Sequence, residues 1–489
     1  MRILLLLLVL PLADEWSTAA SLFKLAIDGS NDEKLQKAVV AVAKDNSERA
    51  SKLLLTGLTT TNPRFYWIII NGLSKMPSKE AVAPVTEAIL AKKTPGDQRR
   101  DLMMALQLNP AGTASDALLL VAKDGTPDVQ VQAVDELVNR LVKEAVPVFI
   151  GLLKSNEAEL KRRVLKALVA LTGADAGTTA AAWQTWWDAN HETWKPGAET
   201  AKTDPDKPGK TVVEVIKKGR KTDVEDLKKG DKKDIVVVEG VFDTVQDVLD
   251  KMSIPHTKIG EQDLAKFDLS KTMALLINCG VGLEEKNGGV AQTMSKADLA
   301  KVREFVARGG YLFTSDWGLT EVLEGAFPGY CKMATSIDQA TVDIFPKKGS
   351  TGHPFLKEVF VKVKIEGGEG KSSTKSEEKI DFQWVIDGAS FSIDYDPAKV
   401  ICLVEAPDLE DQKHTAVAVT FAFGEKQKDP KAVATGGVYE DLAKMTGGRV
   451  LHVLSHFGTQ KTKNDEYAIQ NMLLNFVIEA KDRKQMKKK

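Results

Sequence analysis

Hydrophobic positions along the chain follow two patterns, and the change falls near residue 195. From Asp14 to Trp194, apolar side chains recur at every third or fourth position between short breaks of proline and glycine, which is typical of amphipathic helices. Later, apolar residues come in short continuous runs such as Ile235–Val238 and Met273–Asn278, with helical segments between them. Such runs are typical of strands buried on both faces of a parallel sheet. The pattern predicts a multidomain chain, an all-α unit followed by an α/β unit.

The helical unit contains an internal repeat. The segment Lys79–Val85 returns in similar form at Lys143–Val148, a separation of two periods of about 32 residues. A pair of helices of that length cannot bury its apolar face alone, so successive pairs are expected to stack as a solenoid. The stretch Pro127–Gly173, with alanines where helices approach each other, resembles HEAT repeats. The resemblance implies a HEAT-like domain over residues 14–194 whose curved surface binds a protein partner.

Tryptophans are concentrated at the end of the helical unit, at positions 183, 186, 187 and 194. The first three are spaced so that they share one face of a helix. One interpretation is an aromatic box for a sugar or a cationic ligand. The other is a hydrophobic cap on the last repeat, and we favour it because a solenoid must cover its final apolar face.

Two charged segments flank the α/β unit. Residues 195–233 hold three prolines and few large apolar groups, a composition that predicts an extended, mostly solvated linker. Within it, Thr211–Ile216 is a short apolar patch that is able to dock as one strand or helix. The α/β domain is predicted over residues 234–480, and the basic residues 481–489 are expected to form a solvated tail.

The amino-terminal residues predict export. Arg2 precedes the apolar run Ile3–Leu10, and Asp14 follows shortly after it. The run suits the core of a signal peptide and is too short to cross a bilayer. We therefore expect a signal peptide over residues 1–13, a secreted or periplasmic protein, and no transmembrane segment after its removal. A buried first helix is the alternative interpretation.

Composition removes several classes of function. A net charge of −1 provides no general attraction for nucleic acid, and no such partner is expected. The cysteines Cys279, Cys331 and Cys402 match no zinc-binding spacing, and three cannot form a closed set of disulfides. Each is expected to be a small buried side chain, although one disulfide with one free thiol also fits. No motif predicts a metal or a cofactor, and none is expected.

The most informative stretch of the second half is Gly309–Gly318, GGYLFTSDWG. It predicts a strand that ends in an abrupt polar turn, where open α/β sheets bind ligands. Further short matches are CGVG at 279–282, SHFG at 455–458 and LLNF at 473–476. Together they resemble the class I glutamine amidotransferase fold, in its divergent trehalose-utilisation-type branches of exported bacterial proteins. The resemblance implies a flavodoxin-like, mostly parallel sheet with flanking helices.

Two differences separate the chain from the enzymes of that family. Asp316 stands where the resemblance places the cysteine nucleophile, and an ionised carboxylate attacks an amide poorly. Gly458 stands where the resemblance places the acid that orients the histidine, so His456 is expected to lack that partner. The resemblance therefore implies that glutamine hydrolysis is lost, and no catalytic residue is assigned firmly.

The leading hypothesis from the sequence is a non-catalytic, exported interaction protein that binds a partner on its solenoid and a small polar ligand at the strand ends. The predicted ligand-binding residues are Asp316, Ser315, Trp317, His456, Glu239, Cys279 and Gly280. The alternative is a hydrolase or carbohydrate-active enzyme that uses Asp316 and His456 as an acid/base pair, with Ser315 as a further catalytic candidate. A third hypothesis is a metal-dependent activity with Asp316, His456 and Glu239 as ligands.

Overall fold

The structure is a computed structural model that describes residues 15–196, 211–281, 294–363, 365, 382–424 and 447–486. The predicted signal peptide lies outside the described residues. Within them, a helical part is followed by an α/β part with a mostly parallel sheet, which is the layout that the hydrophobic pattern predicts.

The helical part is a stack of two layers. Its helices are α1 (Glu15–Ile27), α2 (Asp32–Ala43), α3 (Glu48–Thr56), α4 (Pro63–Ser74), α5 (Lys79–Leu90), α6 (Gly96–Leu108), α7 (Gly112–Asp124), α8 (Pro127–Asn139), α9 (Ala145–Leu152), α10 (Ala158–Thr172) and α11 (Ala180–Asn190). From α2 onward each helix packs against the helix two places further along the chain. Even-numbered helices therefore form one layer and odd-numbered helices the other, as the internal repeat predicts.

Local sequence sets where several of these helices begin. The hydroxyls of Ser47 and Ser78 accept hydrogen bonds from the backbone N–H three residues on, and they open α3 and α5. Pro63 and Pro127 occupy the first turn of α4 and α8, where a missing N–H costs nothing. The polar breaks in the pattern are thus true helix boundaries.

The tryptophans at the end of the stack pack against one another. Trp183 on α11 is fully buried, and its indole N–H donates to the Gly177 carbonyl at 2.9 Å. The ring centroids of Trp186 and Trp194 lie 5.8 Å apart, and those of Trp187 and Trp194 lie 6.2 Å apart, all edge to face. Rings that cover one another in this way leave no open box between them, which fits the cap.

The second half of the predicted linker is helical. It forms α12 (Val212–Gly219) and α13 (Lys221–Lys228). Arg220 between them is buried, and its guanidinium donates to the side-chain oxygens of Asn471 at 3.2 Å and Asn475 at 2.8 Å. The apolar patch Thr211–Ile216 thus docks as a helix, one of the two forms allowed for it, whereas the expectation of an extended, solvated segment is wrong for α13.

The α/β part is built around one eight-stranded sheet. Its strands and those of two small ribbons are β1 (Ile235–Val238), β2 (Thr257–Ile259), β3 (Ala274–Ile277), β4 (Tyr311–Ser315), β5 (Cys331–Ile337), β6 (Ala340–Asp343), β7 (Phe345–Pro346), β8 (Gln383–Ile386), β9 (Ser390–Tyr395), β10 (Val400–Glu405), β11 (Ala416–Phe423) and β12 (Gly448–Val453). The order in the sheet is β2-β1-β3-β4-β12-β11-β10-β7. The first five strands in that order are parallel, and each of the last three is antiparallel to the strand before it.

Helices cover the sheet and connect its strands. They are α14 (Val245–Met252), α15 (Glu261–Leu264), α16 (Lys296–Ala307), α17 (Glu324–Ala326) and α18 (Lys463–Met486). The basic tail expected from residue 481 begins as the last part of α18, where Asp482 lies 2.5 Å from both Arg162 and Lys166. That expectation is wrong up to Met486, since these ion pairs dock the helix on the stack. No helix within the described ranges is long and apolar enough to cross a bilayer.

The even-numbered layer of the stack packs against the α/β part. The buried indole of Trp67 on α4 donates to the Pro346 carbonyl on β7 at 2.9 Å. On α6, Asp101 accepts the Gly349 N–H at 2.7 Å and the Thr351 hydroxyl at 2.8 Å. Gly349 has a φ of +87°, and a Cβ there would lie 2.7 Å from a side-chain carbon of Asp97, so no other residue fits this contact.

Burial of Asp101 makes this interface sensitive to pH. Burial raises the pKa of its carboxyl from 3.8 to about 7, although donors from Gly349, Thr351 and Tyr66 oppose the change. A carboxyl with a raised folded pKa contributes stability that is complete below its unfolded pKa and is lost as the pH rises through the folded one.

We therefore expect the free energy of unfolding to fall between about pH 4 and about pH 8. Asp101→Asn is expected to flatten part of that fall, because its amide does not titrate. Urea unfolding of both proteins across this range measures the effect, and identical slopes against pH would contradict it.

Candidate functional site

Three of the predicted residues meet at one edge of the sheet. Cys279 follows β3, Asp316 follows β4 and His456 follows β12, and these strands are adjacent and parallel. Their carboxyl ends therefore lie together. Cys279 Sγ lies 3.7 Å from Asp316 Oδ2, and His456 Nε2 lies 3.5 Å from the same oxygen. The pair named in the hydrolase hypothesis is thus in place, with a thiol beside it.

Asp316 occupies a strained turn. Its φ is +38°, which a residue with a side chain seldom adopts, and its N–H donates to the Val453 carbonyl at 2.9 Å. The turn is so tight that a Cβ on Gly318 would lie 2.8 Å from the Thr314 side chain. The elbow predicted from the sequence therefore exists, and it fixes the carboxylate at the strand end.

His456 has an acidic partner, contrary to the expectation from the sequence. Its Nδ1 forms a short hydrogen bond with Asp387 Oδ2, in the turn between β8 and β9. Gly458, where the family places the acid, instead donates its N–H to the Glu466 carboxylate at 2.9 Å. The ring therefore lies between two carboxyl groups, with Nδ1 at Asp387 and Nε2 at Asp316. Asp387 lies 69 residues from His456 along the chain, so the residues next to His456 in the sequence do not indicate this partner.

Ser315 does not face the reactive groups. It is fully buried, and its hydroxyl donates to Asp243 Oδ2 at 2.7 Å. Asp243 also accepts the backbone N–H groups of Thr244 at 2.8 Å and Phe457 at 3.3 Å. Ser315 therefore helps to tie the elbow to the loop after β1 and to the segment with His456, and its prediction as a catalytic or ligand-binding group is not supported.

The turn after β3 binds the carboxyl group of Glu321. The N–H of Gly280 points at Glu321 Oε2 at 3.3 Å. Burial raises the pKa of Glu321 to about 7, and the backbone amides of Val281 and Gly280 act in the opposite direction. The backbone amide of Gly280 in this turn is therefore occupied by a buried carboxyl group of the protein.

The electrostatics of the site keep its thiol protonated. Burial raises the pKa of the Asp316 carboxyl, and His456 opposes this. Burial also raises the pKa of Asp243, again against His456. For Cys279, burial and the neighbouring Asp316 raise the thiol pKa far above its usual value. Without a cation beside it, Cys279 is not a thiolate at neutral pH.

An apolar rim borders the polar cluster. Trp317 and Phe242 pack edge to face with centroids 5.4 Å apart, and the Trp317 N–H donates to the Ala389 carbonyl at 3.0 Å. Val241 and Phe242 are 56% and 49% exposed. These exposed side chains give the polar cluster an apolar border.

Glu239 lies apart from the reactive groups. Its half-exposed carboxylate lies 3.8 Å from the Lys258 ammonium on β2, and it is not in the cluster of Cys279, Asp316 and His456. The structure therefore does not support its prediction as a ligand.

Sequence reasoning missed three carboxylates of the site: Asp243, Glu321 and Asp387. Glu321 gave a signal, since it is the one charged residue in the turn Leu319–Leu323. Asp387 gave none, because an Asp-Gly step between two strands is typical of an ordinary hairpin turn.

Among the described residues, three buried polar atoms of the carboxylates and the histidine of the site have no hydrogen-bond partner. They are Asp316 Oδ1, Glu321 Oε1 and His456 Nε2, and all three residues are at most 4% exposed. An unpartnered buried polar atom costs about 1–3 kcal/mol. A solvent molecule, an ion or a ligand is therefore expected between these groups.

No model of a known protein family matches the sequence, and a comparison with curated proteins gives no match. The resemblances to HEAT repeats and to amidotransferases therefore remain predictions, and the chemistry of the site follows from its geometry alone.

Proposed function

We propose that the α/β domain is a hydrolase that activates a water molecule at Asp316 and His456. The observation behind the proposal is the chain of contacts from Asp387 through His456 to Asp316, which ends with Nε2 3.5 Å from Oδ2. The proposal places one water beside this pair, where both atoms would accept hydrogen bonds from it. Asp387 holds the imidazole in the tautomer that accepts a proton at Nε2.

Hydrolysis through a covalent thioester is a poorer fit. That route needs a thiolate and free oxyanion donors. Cys279 keeps its proton for the reasons given above, and Glu321 occupies the amide of Gly280. An activated water requires neither group, so it suits this site better than the chemistry of the enzymes that the domain resembles.

The charge of the site restricts the substrate. Asp243, Asp316, Glu321 and Asp387 surround it, and they would repel an anionic substrate. The apolar rim at Phe242 supplies a surface for a sugar ring or another partly apolar group. We therefore propose a small, neutral, polar substrate such as a glycoside, an ester or an amide.

His456→Gln is expected to lower hydrolysis by about 10²–10⁴-fold, because the proton acceptor is lost. The measurement is kcat/KM of the full chain against neutral glycosides, esters and amides. His414→Gln is the matched control, since it removes another histidine–carboxylate pair, 2.7 Å from Asp411 on the same domain. Equal loss in both variants, or no loss in His456→Gln, would contradict the proposal.

We further propose that the stack is a HEAT-like solenoid of an exported protein and that its odd-numbered layer binds a protein partner. Leucines exposed on that layer favour this, with Leu25 on α1 at 74% and Leu120 on α7 at 50%. The even-numbered layer is already covered by the α/β domain, whose β2-β1-β3-β4 order supports a flavodoxin-like, amidotransferase-like fold. Amino-terminal sequencing of the secreted protein tests the export. We expect the mature protein to start near Asp14.

A further inference from the structure

The site offers a mixed set of metal ligands. Cys279, Asp316 and His456 each contribute one ligand atom, and the three atoms lie within 4.8 Å of one another. A thiolate, a carboxylate and an imidazole are the three ligand types that zinc uses in proteins. Catalytic zinc sites combine three protein ligands with a water in the fourth position.

The separations between these atoms suit a tetrahedral ion. Bonds of about 2.3 Å to sulfur and about 2.0 Å to nitrogen and oxygen place tetrahedral ligands about 3.3–3.6 Å apart. The observed separations from Asp316 Oδ2 are 3.7 Å to Cys279 Sγ and 3.5 Å to His456 Nε2. The third separation, from Cys279 Sγ to His456 Nε2, is within 4.8 Å, so the coordination requires these two side chains to close on the ion.

Negative charge at the site exceeds the positive charge that the protein supplies. Asp243, Asp316 and Glu321 are at most 4% exposed. In the part of the chain that the structure describes, no lysine or arginine forms an ion pair with these residues or with Asp387, and His456 is their only basic partner. Buried carboxyl groups stay ionised only beside a partner or a metal. A divalent cation would supply that partner.

The surroundings of His456 match those of a metal ligand. Histidines that bind metal through one ring nitrogen usually donate the other N–H to a carboxylate, which fixes the ring. Asp387 accepts from Nδ1 in that way, and Nε2 is left without a hydrogen-bond partner among the described residues. The ring therefore presents its free nitrogen to the same point as Asp316.

We propose that Cys279 Sγ, Asp316 Oδ2 and His456 Nε2 bind one divalent ion of the zinc type, with a fourth position for water. On binding, the Cys279 thiol releases its proton to solvent and the thiolate bonds to the ion, whose oxidation state does not change. The soft sulfur ligand favours zinc or cobalt over magnesium or calcium. The inference rests on the proposed function for the reaction and changes one role in it: with the ion bound, Nε2 would be a ligand, and the ion in place of the imidazole would promote loss of a proton from the water.

Two expectations from the sequence change with this inference. The sequence predicts small buried cysteines and no metal. It does not reveal the site, because the three ligands follow three different strands and share no short motif. The metal hypothesis named Glu239 as the third ligand, and Cys279 takes that place here.

Cobalt binding to the full chain tests the site. After treatment with a chelator, the protein is titrated with Co²⁺, and we expect one equivalent to bind with thiolate-to-cobalt absorption that Zn²⁺ displaces. Cys279→Ser is expected to abolish that absorption. Cys331→Ser, which changes another buried free cysteine, is expected to retain it. Asp387→Asn is expected to weaken binding by about 10–100-fold while leaving the absorption intact.

Failure of cobalt to bind, or equal absorption in Cys279→Ser, would overturn the site. If Cys279→Ser does not fold, X-ray absorption of the zinc-loaded wild type decides, because a shell without sulfur also overturns it. Metal binding without hydrolysis would support the metal site and contradict the proposed hydrolase activity. Hydrolysis that persists with no bound metal would contradict the metal site and leave the proposed hydrolase activity standing.

Discussion

Asp316→Asn is expected to lower kcat/KM for hydrolysis by about 10⁴-fold, the largest loss among variants of the site. The change keeps the shape of the side chain and removes the charge that faces both His456 and Cys279. Water activation fails because the amide neither accepts the proton nor binds a cation firmly. Steady-state kinetics on the best neutral substrate measure the effect.

The same variant is expected to be at least as stable as the wild type without metal. Burial raises the pKa of Asp316, so ionisation of this residue opposes folding and the neutral amide avoids that cost. Asp396→Asn, in an exposed turn of the same domain beside Lys399, is the control for both measurements. Full activity in Asp316→Asn, or a large loss of stability instead of activity, would contradict a functional role.

Trp67→Ala is expected to destabilise the whole chain by about 3–5 kcal/mol. The indole is fully buried where the stack meets β7, and removing it leaves a cavity and an unpartnered Pro346 carbonyl. Because the two parts share this contact, they are expected to unfold together. Urea unfolding followed by far-ultraviolet circular dichroism and by tryptophan fluorescence measures both the loss and the cooperativity.

Trp187→Ala is the matched control, since this partly buried tryptophan lies at the far end of the stack. Its loss is expected to be about 1 kcal/mol and to leave the interface intact. Two separate transitions, with Trp67→Ala shifting only one of them, would show that the stack and the α/β part fold independently.

Much of the fold follows from local pattern. The run Ile235–Val238 is β1, Met273–Asn278 contains β3, and Tyr311–Ser315 is β4. Short continuous apolar runs specify buried strands because every side chain on them needs a covered face. The two-layered stack likewise follows from a repeat whose units cannot bury their apolar faces alone.

Contacts between distant segments are the part that the sequence does not reveal. Trp67 and Pro346 are 279 residues apart, and nothing in either segment indicates the other. The helix α12 forms in a charged stretch because Arg220 reaches Asn471 and Asn475 on α18. Composition describes the average surroundings of a segment, and a single buried partner can override it.

In the candidate site, too, the sequence indicates some residues and does not reveal the contacts between distant segments. Asp316 and His456 were found through the resemblance, and the structure places them together. The expectation that His456 lacks an acid was wrong because Asp387 reaches it from a different loop. Distance along the chain therefore hid the group that makes the pair chemically competent.

The most direct measurement is the hydrolytic rate of the full chain before chelation, after chelation and after one equivalent of Zn²⁺ is returned. We expect chelation to lower the rate to that of Asp316→Asn and zinc to restore it in the wild type alone. A chelated wild type as active as the untreated protein would contradict the metal, and zinc-dependent activity in Asp316→Asn would contradict catalysis at this site.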